Sequence, residues 1–362
     1  MRGIVSLLLS FLLCIPVSAG RVPAISAESA VLVEADSMQI VYSRYHDRKM
    51  QPASMTKIMT ALIVIENCPL DEEVTVTEEA VGIEGSSACL RAGEVFTVRE
   101  LLYALLLQSA NDAAVALALH LCGMKDFVAL MNEKAADIGM TGSHFKNPHG
   151  LTDKDHYGTA YDYALLLCHC MKNGDFAAIC GCRQYTAEPG LKRYGRTFTN
   201  HNRLLFTCDG VRGGKTGYTR SSGRCLCSYY EKDGVRLCAV TMNAPSDWTD
   251  HAALYGYGAS LYERVTLSAA GTYSLHVVGG INDTATCTVG FDVYATVRKG
   301  GEIKKTVCMR RFEYAPVAVG ERIGCLIFTS DGRVIKTVPL YADNKVEQKT
   351  PGFLKDLLIW KK

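Results

Sequence analysis

The chain has almost no excess charge of either sign, with Lys+Arg 39 against Asp+Glu 37 and a formal net charge of +2. No basic face is large enough to hold a phosphate backbone, no nucleic-acid-binding motif occurs, and nucleic acid is set aside as a partner. It also lacks a long hydrophobic run. The apolar stretch from Ile4 to Ile15 is shorter than the roughly 20 residues a membrane span needs. That stretch follows Arg2 and leads into Pro16-Val17-Ser18-Ala19, the pattern of a secretory signal peptide over residues 1–19, with cleavage expected after Ala19. Export places the protein beyond the cytoplasmic membrane, on its extracellular or periplasmic side. Among the Cys 15 there is no C-x-x-C pair, so no zinc site is expected, and no cofactor. The thiols at Cys168/Cys170, Cys180/Cys182 and Cys225/Cys227 are spaced C-x-C. They read as mostly free, mostly buried small hydrophobes, since a chain this long does not need disulfide staples.

What is present is 362 residues, 48% of them hydrophobic, enough for two domains. Residues 30–34 and 39–43 read as two strands around a turn at Asp36-Ser37, and Pro52 opens an apolar helix ending at Glu66. Leu101 to Leu121 is helical in composition but broken at Gln108-Ser109-Ala110-Asn111, where two helices meet. From Val211 to Met242 short apolar or alternating runs form an antiparallel meander. Strands at both ends with helices between them predict an α/β domain over 20–263, one antiparallel sheet covered by helices on both faces. Residues 264–343 read as a small all-β second domain, and 344–362 as a linker and tail. In that tail Phe353, Leu354, Leu357 and Leu358 share one helical face beside Trp360 and two lysines, suited either to a membrane surface or to docking on the β domain.

Three short motifs carry chemistry. Ser54 and Lys57 are three residues apart at the start of a helix that is apolar on nearly every side. Lys57 Nζ can therefore reach Ser54 Oγ, and burial lowers the lysine pKa toward that of a general base. A serine near a helix start followed by a snorkelling lysine has the same spacing. Ser109 and Asn111 sit at the helix corner, where Ser109 can pass a proton to a leaving nitrogen and the Asn111 amide can hold a substrate amide; an ordinary N-cap has the same sequence. Lys215, Thr216, Gly217 and Tyr218 lie on the first strand of the meander, and the glycines around them suggest close approach of a ligand to the backbone. Lys215 and Thr216 can border one site only if the strand lies at an edge. There the Tyr218 amide and that of Ser54 could form an oxyanion hole.

In this order, Ser54-x-x-Lys57, Ser109-x-Asn111 and Lys215-Thr216-Gly217 resemble the three motifs of penicillin-binding proteins and serine β-lactamases. The wording around them, with Asn147-Pro148-His149-Gly150-Leu151, resembles low-molecular-weight serine-type D-alanyl-D-alanine carboxypeptidases closely over residues 28–262 and more loosely beyond. The resemblance implies a DD-peptidase/β-lactamase-like fold and removal of the terminal D-alanine from peptidoglycan stem peptides through a Ser54 acyl-enzyme, with β-lactam antibiotics acylating the same serine. It also implies that Lys215 and Thr216 recognise the terminal carboxylate, that Ser109 bridges Lys57 and Lys215, and that His149, Thr159 and Asp162 shape a supporting loop.

The chain departs from the pattern at Asn243-Ala244-Pro245-Ser246-Asp247, where relatives often carry a carboxylate-binding arginine; Arg220 and Arg224 are the candidates to replace it. No glutamate occurs between Glu133 and Glu188, which disfavours a β-lactamase-like hydrolase whose glutamate activates the deacylating water. Cross-linking enzymes usually carry large additional domains, so trimming is preferred to transpeptidation. A non-catalytic wall-binding scaffold is the alternative of a different class, and the intact motif side chains argue against it.

Overall fold

The computed structural model describes residues 21–191 and 193–349. The expected signal segment and the amphipathic tail lie outside the described residues. The two early strands are β1 (Ser29–Glu34) and β2 (Ile40–Arg44), and the late meander supplies β3 (Val211–Thr219), β4 (Gly223–Lys232) and β5 (Val235–Met242). They form one antiparallel sheet in the order β2-β1-β5-β4-β3. Opposite ends of the domain thus meet at its centre, where Ala30 pairs with Thr241 and Leu32 with Ala239. β1 is buried at every position, and β5 at all but Arg236. That is why β1 and β5 read as continuous apolar runs rather than alternating ones. β3 is the edge strand its sequence requires.

Both faces are covered. On one lie α1 (Lys57–Asn67), α2 (Val98–Leu107), α3 (Asn111–Leu121) and the Ala160–Cys170 helix, whose apolar side chains make one core with Val31, Cys227 and Val240. On the other lies the Asp247–Leu261 helix, which packs Leu254 and Tyr255 on Leu32, Leu226 and Leu237. α1 is buried throughout its first two turns, from Lys57 to Val64, so it threads the middle of the domain and carries its first residue into the interior. α2 starts with a complete capping box: the Thr97 hydroxyl accepts from the Glu100 amide and the Glu100 carboxylate from the Thr97 amide. It ends at Leu107, just before the corner that holds Ser109.

From Tyr262 to Tyr341 the elements are all strands, around a separate core that includes Leu275, Val297, Leu326 and Val346. Cys168, Cys170, Cys180, Cys225, Cys227, Cys238 and Cys287 are buried free thiols, while Cys89, Cys122 and Cys308 are free and exposed. Cys168, Cys170, Cys180, Cys225, Cys227 and Cys238 belong to the helix–sheet core.

Candidate active site

Ser54 sits on a single 3-10 turn, Ala53–Thr56, that runs directly into α1 at Lys57. One turn of helix therefore separates hydroxyl from amine, and Lys57 Nζ lies 3.0 Å from Ser54 Oγ. The amine is fully buried. It donates to Asn111 Oδ1 at 2.5 Å and to the His149 carbonyl at 2.7 Å. Burial pushes its pKa well below the ordinary lysine value; the Lys215 charge acts in the same direction and Asp112 opposes it. A lysine here is not snorkelling, because no part of it reaches water.

The turn before Ser54 is strained. Ala53 has φ +48° and Ser109 φ +62°, left-handed conformations that cost a non-glycine residue about 1–2 kcal/mol each. Surrounding groups hold Ala53 in place: Thr56 Oγ1 donates to its carbonyl at 2.8 Å and lies 2.8 Å from His156 Nε2. The Lys146 amide donates to His156 Nδ1 at 3.2 Å, so the proton sits on Nε2, and His156 donates to Thr56. Gly150, at φ +86°, packs beneath; a Cβ there would stand 2.0 Å from the Ala53 carbonyl oxygen. Of these supports the sequence pointed to the Asn147–Leu151 turn and not to His156, which carries no motif of its own.

At the α2–α3 corner the N-cap of α3 is Ala110, with no side-chain cap, so neither Ser109 nor Asn111 is an ordinary helix cap. Asn111 faces inward, its Oδ1 on Lys57 and its Nδ2 on the Glu84 carbonyl at 2.5 Å. The sequence expects its amide to hold a substrate amide; within the protein one Nδ2 hydrogen is engaged and the residue is buried. The next residue, Asp112, accepts from Ser87 Oγ and from the Ala88 and Leu90 amides, fixing the loop over the corner. Ser109 does reach the cleft. No hydrogen bond joins its hydroxyl to Lys57 or Lys215 among the described residues, because Lys57 is saturated by its three partners and Lys215 Nζ turns back to the Thr216 carbonyl at 3.0 Å.

β3 closes the other side. A Cβ on Gly217 would stand 2.9 Å from the Pro52 carbonyl oxygen and 3.1 Å from the Ser54 amide nitrogen, so the strand edge touches the backbone of the Ser54 turn. Thr216, Gly217 and Tyr218 line the resulting cleft, of about 280 Å³, together with Ser54, Ser109 and Arg224. Lys215 is 1% exposed and lies beneath the surface, its pKa lowered by burial to about 7. Arg224 borders the cleft, whereas Arg220 is exposed in the turn after β3. Trp248, Asp247 and His201 also face the cleft; nothing in their local sequence marks them, since they arrive from elements distant in the chain. A larger cavity of about 750 Å³, bordered by Gln39, Tyr161, Arg298 and Arg333, contains none of the motif residues.

The supporting residues are placed as follows. The His149 carbonyl holds Lys57, Thr159 caps the Ala160–Cys170 helix through the Asp162 amide, and Asp162 holds the Gly142 amide and Ser143 hydroxyl at 2.9 and 2.7 Å. Burial lowers the pKa of both His149 and His156 to about 4, and that of His251 to about 3. Each folded value lies below the unfolded one of about 6.5, so the unfolded chain binds more protons between them. The stability linked to these neutral histidines is complete above pH 6.5 and is lost as pH falls toward each folded value, by ~3 kcal/mol each for His149 and His156 and by somewhat more for His251. Urea midpoints at pH 7 and pH 4.5 are expected to differ accordingly; equal midpoints would show that these rings titrate freely.

Residues 17–246 match the D-alanyl-D-alanine carboxypeptidase family of peptidases, and residues 262–348 match the penicillin-binding protein 5 C-terminal domain. The chain belongs to that family of serine-type peptidases. It is 32% identical over 343 residues to the D-alanyl-D-alanine carboxypeptidase DacF of Bacillus subtilis, covering 91% of this chain and 87% of the relative. To DacA of Escherichia coli it is 29% identical, covering 88% and 83%. Penicillin binding protein 5 from Haemophilus influenzae superposes with a TM-score of 0.72 at 27% identity, over 90% of this chain and 99% of that one. The DD-peptidase fold expected from the motifs is the fold observed, and the chain is a peptide hydrolase of the penicillin-binding carboxypeptidases that act on the cell wall.

Proposed function

We propose that Ser54 is the acylated nucleophile, Lys57 its base, and the terminal D-alanine of peptidoglycan stem peptides the group released. The supporting observation is the hydrogen-bonding of Lys57. A neutral amine has two N–H groups and one lone pair. With Asn111 Oδ1 and the His149 carbonyl accepting the two hydrogens, the lone pair is left to face Ser54 Oγ. The hydroxyl then donates its proton to Nζ as Oγ attacks the carbonyl of the penultimate D-alanine. The oxyanion lies against the amides of Ser54 and Tyr218, on the edge strand that Gly217 brings against the Ser54 turn. Ser109 passes the proton from Lys57 to the departing nitrogen, the C–N bond breaks, and water later hydrolyses the ester. Lys215 and Thr216 bind the substrate from β3, and Asn111 acts by orienting Lys57. Penicillins enter by the same attack on Ser54.

The signal-like segment at 1–19 and a substrate that lies in the wall support a secreted enzyme on the outer side of the cytoplasmic membrane. The apolar face and lysines of residues 353–362 support surface attachment there. Release of D-alanine from diacetyl-Lys-D-Ala-D-Ala tests the activity, and fluorescent penicillin tests the nucleophile: label is expected on the parent and absent from Ser54→Ala. Label persisting in Ser54→Ala would remove the assigned nucleophile. A folded parent that takes no label would favour the scaffold reading.

A further inference from the structure

The cavity of about 750 Å³ lies on the seam between the two domains: Gln39, Ile40 and Tyr161 border it from the first, and Tyr262, Arg298 and Arg333 from the strands that follow. We propose that it binds a carboxylate of the peptidoglycan strand through Arg298 and Arg333, as a second point of attachment away from Ser54. The inference rests on the function proposed above and deepens it, since it makes a polymer rather than a short peptide the preferred substrate.

Both arginines stand at strand ends, and both are exposed. Arg298 closes the Val293–Arg298 strand and pairs with Tyr262. Arg333 opens the Arg333–Tyr341 strand and pairs with Ser330 across a two-residue turn, Asp331 at φ +49° and Gly332 at φ +78°. Such a turn needs two left-handed residues, which an Asp-Gly sequence supplies. Neither guanidinium has an ion-pair or hydrogen-bond partner among the described residues; the ion pairs of this domain are Lys304–Glu302, Arg310–Glu313 and Lys345–Glu347. Asp331 is the carboxylate that borders the cavity, and its Oδ1 accepts from the Glu302 amide at 3.2 Å instead. Burial and the Glu34 charge raise the Tyr262 pKa, while the Arg298 and Arg333 charges both oppose them, so the two guanidinium groups act on one phenol in the cavity wall.

Two unpaired guanidinium groups and one carboxylate give the lining a single net positive charge. That suits one carboxylate, which a planar guanidinium meets through paired N–H groups, better than a run of phosphates. The rest of the wall is mixed. Ile40, Val334 and Ile335 are apolar, and Ser330 Oγ is buried with no hydrogen-bond partner, a cost that a ligand or a water removes. The two domains are tied beside the cavity: Thr296 Oγ1 donates to the Gly234 carbonyl at 3.1 Å and the Lys299 amide to the Leu261 carbonyl at 2.8 Å. β2, which carries Ile40, and β3, which carries Thr216 and Gly217, are opposite edges of the sheet, about 19 Å apart at the usual strand spacing. A tripeptide spans about 10 Å when fully extended, so a ligand that meets both sites is a longer strand.

The test uses the full-length enzyme carrying Arg298→Gln and Arg333→Gln together, with penicillin labelling of Ser54 marking folded protein. On diacetyl-Lys-D-Ala-D-Ala, kcat and KM are expected to change less than about twofold; on soluble uncross-linked peptidoglycan strands, KM is expected to rise about tenfold at unchanged kcat. Fluorescence anisotropy with the same strands reads binding alone, and affinity is expected to fall about tenfold in the variant. The difference between parent and variant is expected to vanish on strands whose carboxylates have been converted to amides. An unchanged KM on the strands, or an equal loss on tripeptide and strands, would overturn the site. A difference that persists on the amidated strands, or that arises with polyphosphate alone, would overturn carboxylate recognition. A parent that releases no D-alanine and takes no label would instead overturn the function on which the site rests, and the anisotropy reads the site independently of that.

Discussion

Replacing Lys57 by Ala is expected to slow acylation of Ser54, by penicillin and by peptide alike, about 10⁴-fold, while the protein still folds. The rate follows from the chemistry: without the amine, the Ser54 hydroxyl has no side-chain base among the described contacts, since Lys57 Nζ is the one group hydrogen-bonded to it. The fold survives because two large effects oppose each other. Burying an amine away from water is unfavourable, as its depressed pKa records, and the substitution removes that cost. Against this, Asn111 Oδ1 and the His149 carbonyl lose their donor, each at about 1–3 kcal/mol. Stopped-flow acylation together with near-UV circular dichroism checks both halves. In the parent, acylation is expected to fall as pH is lowered and Lys57 gains its proton, at a pH well below the usual lysine range. A Lys57→Ala enzyme as fast as its parent would refute the base assignment.

Replacing Gly217 by Val is the second large effect, and here activity is lost with little change in stability. The new Cβ would be placed 2.9 Å from the Pro52 carbonyl oxygen and 3.1 Å from Ala53 Cβ, distances at which backbone has to move. Because β3 is the sheet edge, it can shift outward without breaking its ladder to β4, so the cost falls on the separation between Ser54 and the Tyr218 amide rather than on the core. A displacement of about 1 Å at a reacting centre lowers the rate about 100-fold. Gly217→Val is expected to lose that much kcat/KM while its melting temperature stays within a few degrees. Full activity would show that the edge of β3 takes no part in the reaction.

The parts of this molecule legible in the sequence are those where local pattern and global role coincide. The stretch from Ile58 to Ile65, apolar except for Thr60, marks a buried helix, and a lysine at its mouth marks a perturbed amine. The glycines around Lys215 announced a close approach, which the packing of Gly217 on the Ser54 turn explains. What the sequence left open depends on contacts between distant residues. His156 supports Ala53 across 100 positions from Thr56, and Asp247, at the start of the helix after β5, meets Arg224 at the start of β4; neither pair has a spacing that can be read along the chain. The partners of Asn111 within the protein are hidden from the sequence for the same reason. A residue type in a motif specifies what a side chain can donate and accept, not which partners it meets, and Asn111 meets Lys57 and the Glu84 carbonyl.

The central claim is that the fold activates one serine through one buried lysine, and the site of covalent attachment tests it most directly. After a short exposure of the full-length protein to benzylpenicillin, tryptic peptides analysed by mass spectrometry are expected to carry the penicilloyl mass on the peptide containing Ser54 and to lose it in the Lys57→Ala enzyme. An adduct on any other residue, or an undiminished adduct on Ser54 without Lys57, would contradict the account.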